Sequence, residues 1–386
     1  MRILIVHSFY RTTGGEDVCV RQQLDLLRPH HEVLLLDKYN RELGSEVSTA
    51  MRMLYSRQCR AEVESVIREF HPDVIHLHNA YPALGPAVFL AASKFGLPLV
   101  LTVHNYRLRC PNGYMFTADS ICTRCEGGGY HNAVLHPCFP TKTQSSAYAS
   151  SLWIHRFVLH VEDRVSLFVC PSEFMHTTLH RWGIPRRKLK LIRNFTPPVP
   201  DADSSPGEYG AYVGRLSREK GLHILLEALK SAGDPPFMVL GEGPEYQALR
   251  RFDSRLGLVN TTFVGRVPPE EVDQILRRAR FVVLPSLWNE NAPLAAMEAM
   301  ARGRPLIASA VGGLPELAGE GRGRVVVPGD GADLARNIDD LMGDADACRL
   351  AGAAALAFAG EELTPERHLA RLEQAYRGII ASEPST

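Results

Sequence analysis

Two glutamates eight positions apart, Glu290 and Glu298, are the residues whose type and spacing most suggest chemistry. A buried-strand pattern ends at Pro285, so Glu290 should lie in the loop at the carboxyl end of that strand. Pro293 suits the first turn of a helix and Gly303 suits its end. Glu298 then lies inside a mostly apolar helix, where a carboxylate needs a partner. A ligand rich in hydroxyl groups is one such partner, although two solvated glutamates would give the same pattern.

Glycine-rich and basic segments surround this pair in a fixed order. They are residues 214–221 (GRLSREKG), 241–245 (GEGPE), 263–266 (FVGR) and 304–316 (RPLIASAVGGLPE). With Glu290 and Glu298 as an E-x7-E pair, these segments resemble the C-terminal half of family-4 retaining glycosyltransferases. The likeness extends from the N-terminal strand to Gly331, and its order and spacing are more specific than any single motif.

The resemblance implies roles for the charged residues of this half. Arg215 and Lys220 would stabilise the negative charge that builds on a departing diphosphate, without a required metal. A solvated run of charges is the alternative interpretation of these two residues. Glu290 would face the donor sugar, and Glu298 would hold the ribose hydroxyls. Further donor-side positions are expected in neighbouring loops, at Gly241, Gly243, Arg266, Val267, Asn291, Ala292, Pro293 and Leu294.

The N-terminal half offers a second group of candidates. Gly14 and Gly15 follow the first strand, where backbone N–H groups and a helix N-terminus suit a phosphate or a reacting sugar. A tight strand–helix turn would also need glycines, but Gly15 aligns with the donor-side glycine of the family. His104 ends an apolar strand, and the resemblance places it against the donor sugar. His76 and His78 share one strand face; without an evident third metal ligand we interpret them as structural or cleft-lining.

A long insertion, residues 106–145, is rich in Gly, Pro and Asn and holds four of the eight cysteines. A Cys-x2-Cys pair with two flanking cysteines matches a structural zinc site, formed by Cys110, Cys122, Cys125 and Cys138. Disulfides are the weaker interpretation in a reducing compartment, and free thiols or an iron–sulfur cluster stay open. A metal would order the insertion without a core of its own, beside the acceptor side of the protein.

Apolar strands alternate with helical patterns twice along the chain, which predicts two parallel sheets covered on both faces. The strands are expected at residues 3–6, 32–36, 74–77, 99–103, 167–170, 190–192, 211–213, 238–240, 262–264, 282–284, 306–308 and 325–327. Pro, Asp and Ser interrupt the pattern near residue 200. We therefore expect an α/β fold with two doubly wound, Rossmann-like domains facing across a cleft, which the resemblance identifies as GT-B.

The domain bounds follow from this alternation. An acceptor-side domain is predicted over residues 1–195 and a linker over 196–208. A nucleotide-sugar-binding domain follows over 209–360, and a helix over 361–381 packs back on the first domain. Thr364 and Pro365 provide the helix start.

Composition fits a large enzyme, with 45% apolar and 22% charged residues in 386. Residues 1–200 carry 23 Lys and Arg against 16 Asp and Glu, while the remainder carries 20 against 27. A basic half favours an anionic acceptor or membrane surface, or is an ordinary spread of surface charge. No apolar run reaches the about 20 residues that span a bilayer, and the start lacks a signal-peptide pattern. We expect a cytoplasmic protein that binds no nucleic acid.

The expected activity is retaining transfer of a hexosyl group from a nucleoside-diphosphate sugar to a hydroxyl. UDP-sugars are favoured over GDP-sugars, and no cofactor is required for catalysis. The acceptor is a saccharide, a lipid-linked molecule or a small natural product in polysaccharide or glycoconjugate synthesis. Contact with the inner membrane face, through an amphipathic helix at residues 151–165, is left open. The alternatives are a sugar-nucleotide epimerase and a catalytically silent binding protein of the same fold.

Overall fold

The computed structural model describes residues 1–42, 44 and 46–382. The chain divides into two compact units. The first comprises residues 1–118, 122–192 and the chain from His368 onward; the second comprises Asp119–Ile121 and Arg193–Arg367. The main segment of the first unit thus ends at Ile192, close to the predicted domain end at residue 195.

The strands of the described residues lie where apolar runs occur in the sequence. They are β1 (Arg2–Phe9), β2 (Glu32–Tyr39), β3 (Val74–Asn79), β4 (Leu99–Thr102), β5 (Phe116–Thr117), β6 (Ser120–Ile121), β7 (Leu167–Cys170), β8 (Leu189–Leu191), β9 (Tyr209–Val213), β10 (Phe237–Leu240), β11 (Thr261–Gly265), β12 (Ala279–Leu284), β13 (Leu306–Ser309) and β14 (Gly323–Val326).

Helices connect most of these strands. They are α1 (Gly15–Leu27), α2 (Glu46–Leu54), α3 (Arg57–Phe70), α4 (Ala87–Lys94), α5 (Asn132–Leu135), α6 (Lys142–Phe157), α7 (Glu173–Arg181), α8 (Leu222–Ser231), α9 (Tyr246–Leu256), α10 (Pro269–Arg278), α11 (Leu294–Met300), α12 (Leu314–Ala318), α13 (Gly331–Gly343), α14 (Ala345–Glu362) and α15 (Pro365–Ser382).

The first unit is built on a parallel six-stranded sheet in the order β2-β1-β3-β4-β7-β8. Strands β3, β4 and β7 are buried along their whole length because helices cover both faces of the sheet. The C-terminal helix α15 contributes to this core, since Leu372, Ala375 and Tyr376 pack with residues of β1 and β3. The strand order reverses between β1 and β3, and ligands of such sheets bind at that point, outside the carboxyl ends of the strands.

The second unit repeats this plan with the order β11-β10-β9-β12-β13-β14, again parallel. Its order reverses between β9 and β12, so the loops that follow these two strands border the expected binding edge. Apolar clusters fill both sides of the sheet, one around Leu225, Phe237 and Ile338 and the other around Val282, Met297 and Leu306. The predicted pair of doubly wound α/β domains is therefore confirmed.

One helix prediction was wrong in its bounds. We expected a helix at residues 151–165, whereas α6 spans Lys142–Phe157. The hydroxyl of Thr141 accepts a hydrogen bond from the backbone N–H of Gln144, which caps the N-terminus. Beyond Phe157, the N–H groups of Val158 and Leu159 both donate to the carbonyl of Ile154, which closes the last turn.

None of the helices within the described residues is long and apolar enough to cross a membrane.

Candidate active site

Two glycines of the second unit allow loops at the carboxyl ends of β9 and β10 to touch backbone to backbone. A Cβ added at Gly241 would lie 1.9 Å from the carbonyl oxygen of Gly214. One added at Gly243 would lie 2.2 Å from that of Leu216. Gly241 also has a positive φ of 127°, which glycine adopts without strain. The GEG motif thus has a packing function that holds the loop bearing Arg215 in place.

Gly221 brings the β9 loop against the loop that follows β12. Its φ is +71°, and an added Cβ would lie 2.0 Å from the carbonyl oxygen of Pro285. The N–H of Leu287 donates to the carbonyl of Glu219 at 2.8 Å. The two loops flanking the reversal of strand order are therefore fixed to each other, although they are far apart in sequence.

This contact places the ammonium of Lys220 beside the carboxylate of Glu290. The Lys220 Nζ lies 2.5 Å from Glu290 Oε1, and the Ser286 hydroxyl donates to the same oxygen at 2.6 Å. The Lys220 ammonium also lies 5.5 Å from the centre of the Trp288 ring. Since an ammonium carries three hydrogens, Lys220 can bind Glu290 and still donate to an anionic ligand.

Arg215 is held by a carboxylate of its own loop. Its guanidinium pairs with Glu219, which also accepts a hydrogen bond from the Ser217 hydroxyl at 2.7 Å. Burial alone would raise the pKa of Glu219, but the Ser217 hydrogen bond and the Arg215 charge outweigh it, and the pKa is lowered. Arg215 is about half exposed, so its charge can reach a ligand outside the loop.

The backbone of Glu290 is anchored from the next loop. Its carbonyl oxygen accepts a hydrogen bond from the N–H of Gly313 at 2.7 Å. A Cβ added at Gly312 would lie 1.9 Å from that same oxygen, so only glycine fits there. Gly312 and Gly313, which follow β13, therefore fix the position of the glutamate.

The residues between Glu290 and α11 lead into that helix, whose start differs from the prediction. Asn291 is buried, and the Ala292 carbonyl accepts a hydrogen bond from Asn194 at 3.4 Å. Pro293 occupies the N-cap position with φ −69° and ψ 125°, so α11 begins at Leu294 rather than at the proline. The extended ψ of Pro293 is the reason, because it lies outside the helical region.

Glu298 lies on α11, two residues before its end at Met300, and is partly buried. Burial raises the pKa of its carboxyl, with a smaller opposing effect of Arg302. Arg302 donates to the Glu298 backbone carbonyl and forms its ion pair with Asp273 instead. In the described residues no hydrogen bond to the Glu298 carboxylate is formed, so its oxygens can accept from a ligand.

Arg266 and Val267 follow β11 beside the GEG loop. The N–H of Gly241 donates to the carbonyl of Gly265 at 2.7 Å, which sets the two loops side by side. The Arg266 side chain is exposed. The donor-side positions expected in these two loops are thus adjacent in this unit.

The glycines of the first unit serve a different purpose from those of the second. Gly14 caps α1 with φ −113°, and its N–H donates to Asp17 Oδ2 at 3.1 Å. A Cβ added at Gly14 or Gly15 would meet nothing within 4 Å. Neither a left-handed conformation nor close packing explains why these two residues are glycines. Because they have no side chain, they leave open space at the N-terminus of α1.

A carboxylate that sequence reasoning missed lies next to these glycines. Glu16 Oε2 accepts hydrogen bonds from the Tyr10 hydroxyl at 2.9 Å and from the Asn105 amide at 3.2 Å. Burial raises the pKa of the Glu16 carboxyl. The sequence did contain a signal for this residue. Glu16 directly follows Gly14-Gly15, and its partner Asn105 directly follows the predicted site residue His104.

His104 lies at the carboxyl end of β4 in a row of histidines. The rings of His76, His78 and His104 stack, with centroids 4.4 and 5.2 Å apart. Burial and neighbouring histidines lower the pKa of His76 and of His104 to about 3, so both rings are neutral at pH 7. The structural or cleft-lining interpretation of His76 and His78 fits this arrangement, but their link to His104 was not predicted.

A cavity opens beside His78 and His104 within the first unit. Its apolar lining includes Phe89 and Leu152, and its polar lining includes Tyr81 and Arg107. Mixed linings of this kind, with few polar groups among apolar side chains, are typical of small-molecule sites.

The zinc prediction receives no support from the geometry. Across residues 1–42, 44 and 46–382, no three or more His, Cys, Asp or Glu side chains form a group that could hold a metal ion. The four cysteines do line one small cavity between Arg109 and Cys138, and all four are free thiols. Burial raises the pKa of Cys125 to about 12. A small core of Cys125, Tyr130, Ala133, Ala149 and Leu152 packs the insertion.

Comparison with known proteins agrees with this architecture. Residues 204–356 match the family described as Glycosyl transferases group 1, and residues 18–198 match Glycosyltransferase Family 4. The structure of Anabaena HepE in complex with UDP and glucose superposes with a TM-score of 0.68 at 21% identity, covering 98% of this chain and 100% of that one. Sucrose-phosphate synthase from Thermosynechococcus elongatus gives a TM-score of 0.72 at 20% identity, covering 99% of each chain. Both show the GT-B fold.

Relatives of closer sequence extend over most of the chain. Glycogen synthase of Mycobacterium tuberculosis (strain H37Rv) is 28% identical over 72% of this chain and 62% of its own length. The Bacillus subtilis (strain 168) protein named "Putative teichuronic acid biosynthesis glycosyltransferase TuaC" is 30% identical over 87% of this chain and 70% of its own. With both family matches in order along the sequence, the chain belongs to the family-4 glycosyltransferases.

Proposed function

We propose that this protein transfers a hexosyl group from a nucleoside-diphosphate sugar to a hydroxyl acceptor with retention of anomeric configuration. The observation that carries the proposal is the juxtaposition of Lys220 and Glu290 across the reversal of strand order in the second unit. A cation and a carboxylate held together there suit a leaving diphosphate and the sugar attached to it.

Each charged group of the second unit has a part in the proposed reaction. Lys220 and Arg215 donate to the diphosphate, where negative charge grows as the glycosidic bond breaks. Glu290, fixed by Ser286, faces the donor sugar and its developing positive charge. Glu298 accepts from the ribose hydroxyls. The departing phosphate oxygen takes the proton of the acceptor hydroxyl, so the new bond forms on the face that the leaving group vacates.

A UDP-sugar is the favoured donor, with a GDP-sugar next. HepE, whose fold this chain shares, has been crystallised with UDP and glucose and with UDP-glucose. The acceptor is a saccharide, a lipid-linked molecule or a small natural product, and the reaction needs no cofactor. We place the reaction in the cytoplasm.

Calorimetry with UDP-, GDP-, ADP- and dTDP-sugars, without added metal, tests the donor site first. We expect selective binding of one nucleotide and its loss in Glu298→Ala. Lys220→Ala and Glu290→Ala should each lower transfer by at least about 100-fold. Lys230→Ala, an exposed lysine on α8, is the matched control and should transfer normally.

The products separate the proposal from its alternatives. Retention requires that the product glycoside keep the donor's anomeric configuration, which proton NMR of the product reads directly. Isomerisation of the sugar nucleotide without any acceptor would instead identify an epimerase. Donor binding with neither transfer nor hydrolysis, across saccharide and lipid-linked acceptors, would identify a silent binding protein and refute the proposal.

A further inference from the structure

The contact between His78 and His104 fixes more than the position of the two rings. His78 Nδ1 lies 2.9 Å from His104 Nε2. Two neutral imidazoles share a hydrogen bond only if one nitrogen carries the proton and the other is bare. The direction of this bond therefore decides which nitrogen of His104 is protonated, and so what His104 can offer to a ligand.

Gln23 on α1 gives the direction. Its amide nitrogen lies 3.0 Å from His76 Nδ1 and 3.3 Å from His78 Nε2. An amide NH2 group donates two hydrogen bonds and accepts none, so neither histidine nitrogen that faces it can be the donor, and His78 Nε2 accepts its hydrogen bond. With Nε2 bare, neutral His78 carries its proton on Nδ1.

The surroundings of His76 are consistent with this assignment. The Tyr376 hydroxyl lies 2.6 Å from His76 Nδ1, and burial raises the pKa of Tyr376, so the hydroxyl keeps the proton that it donates. His76 Nε2 then carries the ring proton and donates to the Thr102 hydroxyl at 2.7 Å. The Tyr376 hydroxyl is the nearer of the two donors to His76 Nδ1, so it takes the single lone pair of that nitrogen, and the Gln23 amide is left to donate to His78 Nε2.

The same logic extends to His104. His78 Nδ1–H donates to His104 Nε2, which must be bare, so the proton of His104 lies on Nδ1. His104 is neutral, as its lowered pKa also indicates. The ring nitrogen that remains for a ligand is then an N–H group, which donates a hydrogen bond and cannot accept a proton.

We propose that His78 is a positioning residue that holds His104 as the neutral Nδ1–H tautomer, so that His104 donates a hydrogen bond to a hydroxyl oxygen of the bound sugar and does not act as a base. The tautomer follows from the contacts of the first unit alone. The identity of the oxygen rests on the proposed function.

The tautomer is measured on the full-length, ligand-free protein labelled with ¹⁵N-histidine. Long-range ¹H–¹⁵N correlation spectra distinguish Nδ1–H from Nε2–H, and the His104 signals are assigned by their loss in His104→Asn. We expect Nδ1–H for His104 and Nε2–H for His76 at pH 7.5. A proton on Nε2 of His104 would overturn the proposal. Because no substrate is present, this result stands apart from any failure of the proposed transfer reaction.

Two variants of His78 test its effect on His104. His78→Asn places an amide N–H near the position of Nδ1 and should keep the His104 tautomer, with kcat within about threefold of the parent. His78→Phe keeps a flat ring but removes the donor, so part of the His104 population should move to Nε2–H. We expect kcat to fall about tenfold or more in His78→Phe, the value of one lost hydrogen bond in the transition state. Equal losses in both variants, with the His104 tautomer unchanged, would show a purely structural role and refute the proposal.

Discussion

Lys220 and Glu290 form a largely buried ion pair, with side-chain exposures of 19% and 6% and 2.5 Å between Nζ and Oε1. Such a pair contributes little net stability, but removing one member leaves the other charge buried and uncompensated. The pair therefore links two charges of the candidate site to the stability of the second unit. Mutations can separate the effect on stability from the effect on sugar transfer.

Lys220→Met should destabilise the protein by about 3 kcal/mol, because the Glu290 carboxylate loses its cation. The double variant Lys220→Met/Glu290→Gln should recover most of that loss, since no charge is then stranded. Urea unfolding measures both, with Lys230→Met as the exposed control. If the losses in free energy of unfolding add up in the double variant, the ion pair is contradicted. Neither variant should transfer sugar.

Glu298→Gln should weaken donor binding by about 10- to 100-fold, as expected for hydrogen bonds to a charged acceptor. Because burial raises the pKa of Glu298, the carboxyl binds a proton at higher pH than an exposed glutamate. Donor affinity of the parent should thus fall as the pH is lowered through that raised pKa. The Gln variant should lack this dependence in calorimetry from pH 8 to pH 5. Glu227→Gln on the exposed face of α8 is the control, and a pH dependence that survives in Glu298→Gln would exclude this role.

Buried neutral histidines should make the protein less stable in mild acid. Burial lowers the pKa of His76 and of His104 to about 3 and that of His155 to about 4. In the unfolded chain these rings bind protons near pH 6.5, so the unfolded state gains protons that the folded state does not. The contribution of these histidines to the free energy of unfolding is therefore complete above pH 6.5 and is lost progressively as the pH falls below 6.5.

Urea unfolding between pH 6.5 and 5 measures how steeply the free energy of unfolding falls as the pH is lowered. Most carboxylates titrate below this range. Each such histidine adds up to about 1.4 kcal/mol per pH unit. His155→Asn keeps an acceptor for the Tyr81 hydroxyl, which lies 2.6 Å from His155 Nδ1, and should reduce the slope by that amount. The exposed His131→Asn should leave it unchanged. A pH-independent stability in the parent would refute the neutral state of these rings.

Gly15→Ala should separate folding from ligand binding. An alanine Cβ there meets no protein atom, and alanine favours the helix that begins at this residue, so stability should stay constant or rise by up to about 1 kcal/mol. If the space belongs to the donor, transfer should fall at least about tenfold. Gly378→Ala on the exposed face of α15 is the matched control. Full activity in Gly15→Ala would exclude a donor contact at this residue.

The four-cysteine insertion still carries the prediction of about one zinc per chain. Metal analysis of protein purified without chelators, with thiol titration before and after metal removal, provides the test. Substoichiometric metal in the purified protein, with all four thiols already titratable before any metal is removed, would refute zinc. In that case their reaction at neutral pH should be slow, because burial raises the pKa of Cys110, Cys125 and Cys138 and disfavours the thiolate.

The sheets were predictable from sequence because buried parallel strands appear as short apolar runs between helices. Every predicted strand of residues 1–192 and 209–331 overlaps an observed one, and the confirmed fold class depends on these runs alone. The helix at α6 was misplaced because the insertion before it has no simple periodicity. Its start depends on Thr141, one hydroxyl residue among many near it.

The candidate site was predictable only where charge and spacing repeat a known pattern. Lys220 and Glu290 were both predicted as site residues from the sequence. Their hydrogen bond, however, depends on the close packing of Gly221 against Pro285, and such a contact cannot be inferred from a sequence. The contact of His76 with Tyr376 joins residues 300 positions apart and needs the complete fold. Glu16 was missed because a glutamate in a first helical turn is usually explained by the helix dipole.

The position of α15 in the first unit has a consequence for synthesis of the chain. Leu372 and Tyr376 are fully buried in a core whose other members, such as Ile3 and Val74, leave the ribosome hundreds of residues earlier. Until α15 emerges, that apolar face of the nascent first unit lacks its cover, while the second unit has all of its strands. Completion of the N-terminal unit therefore waits for synthesis of α15, and a chain truncated after residue 367 would be aggregation-prone while keeping an intact second sheet.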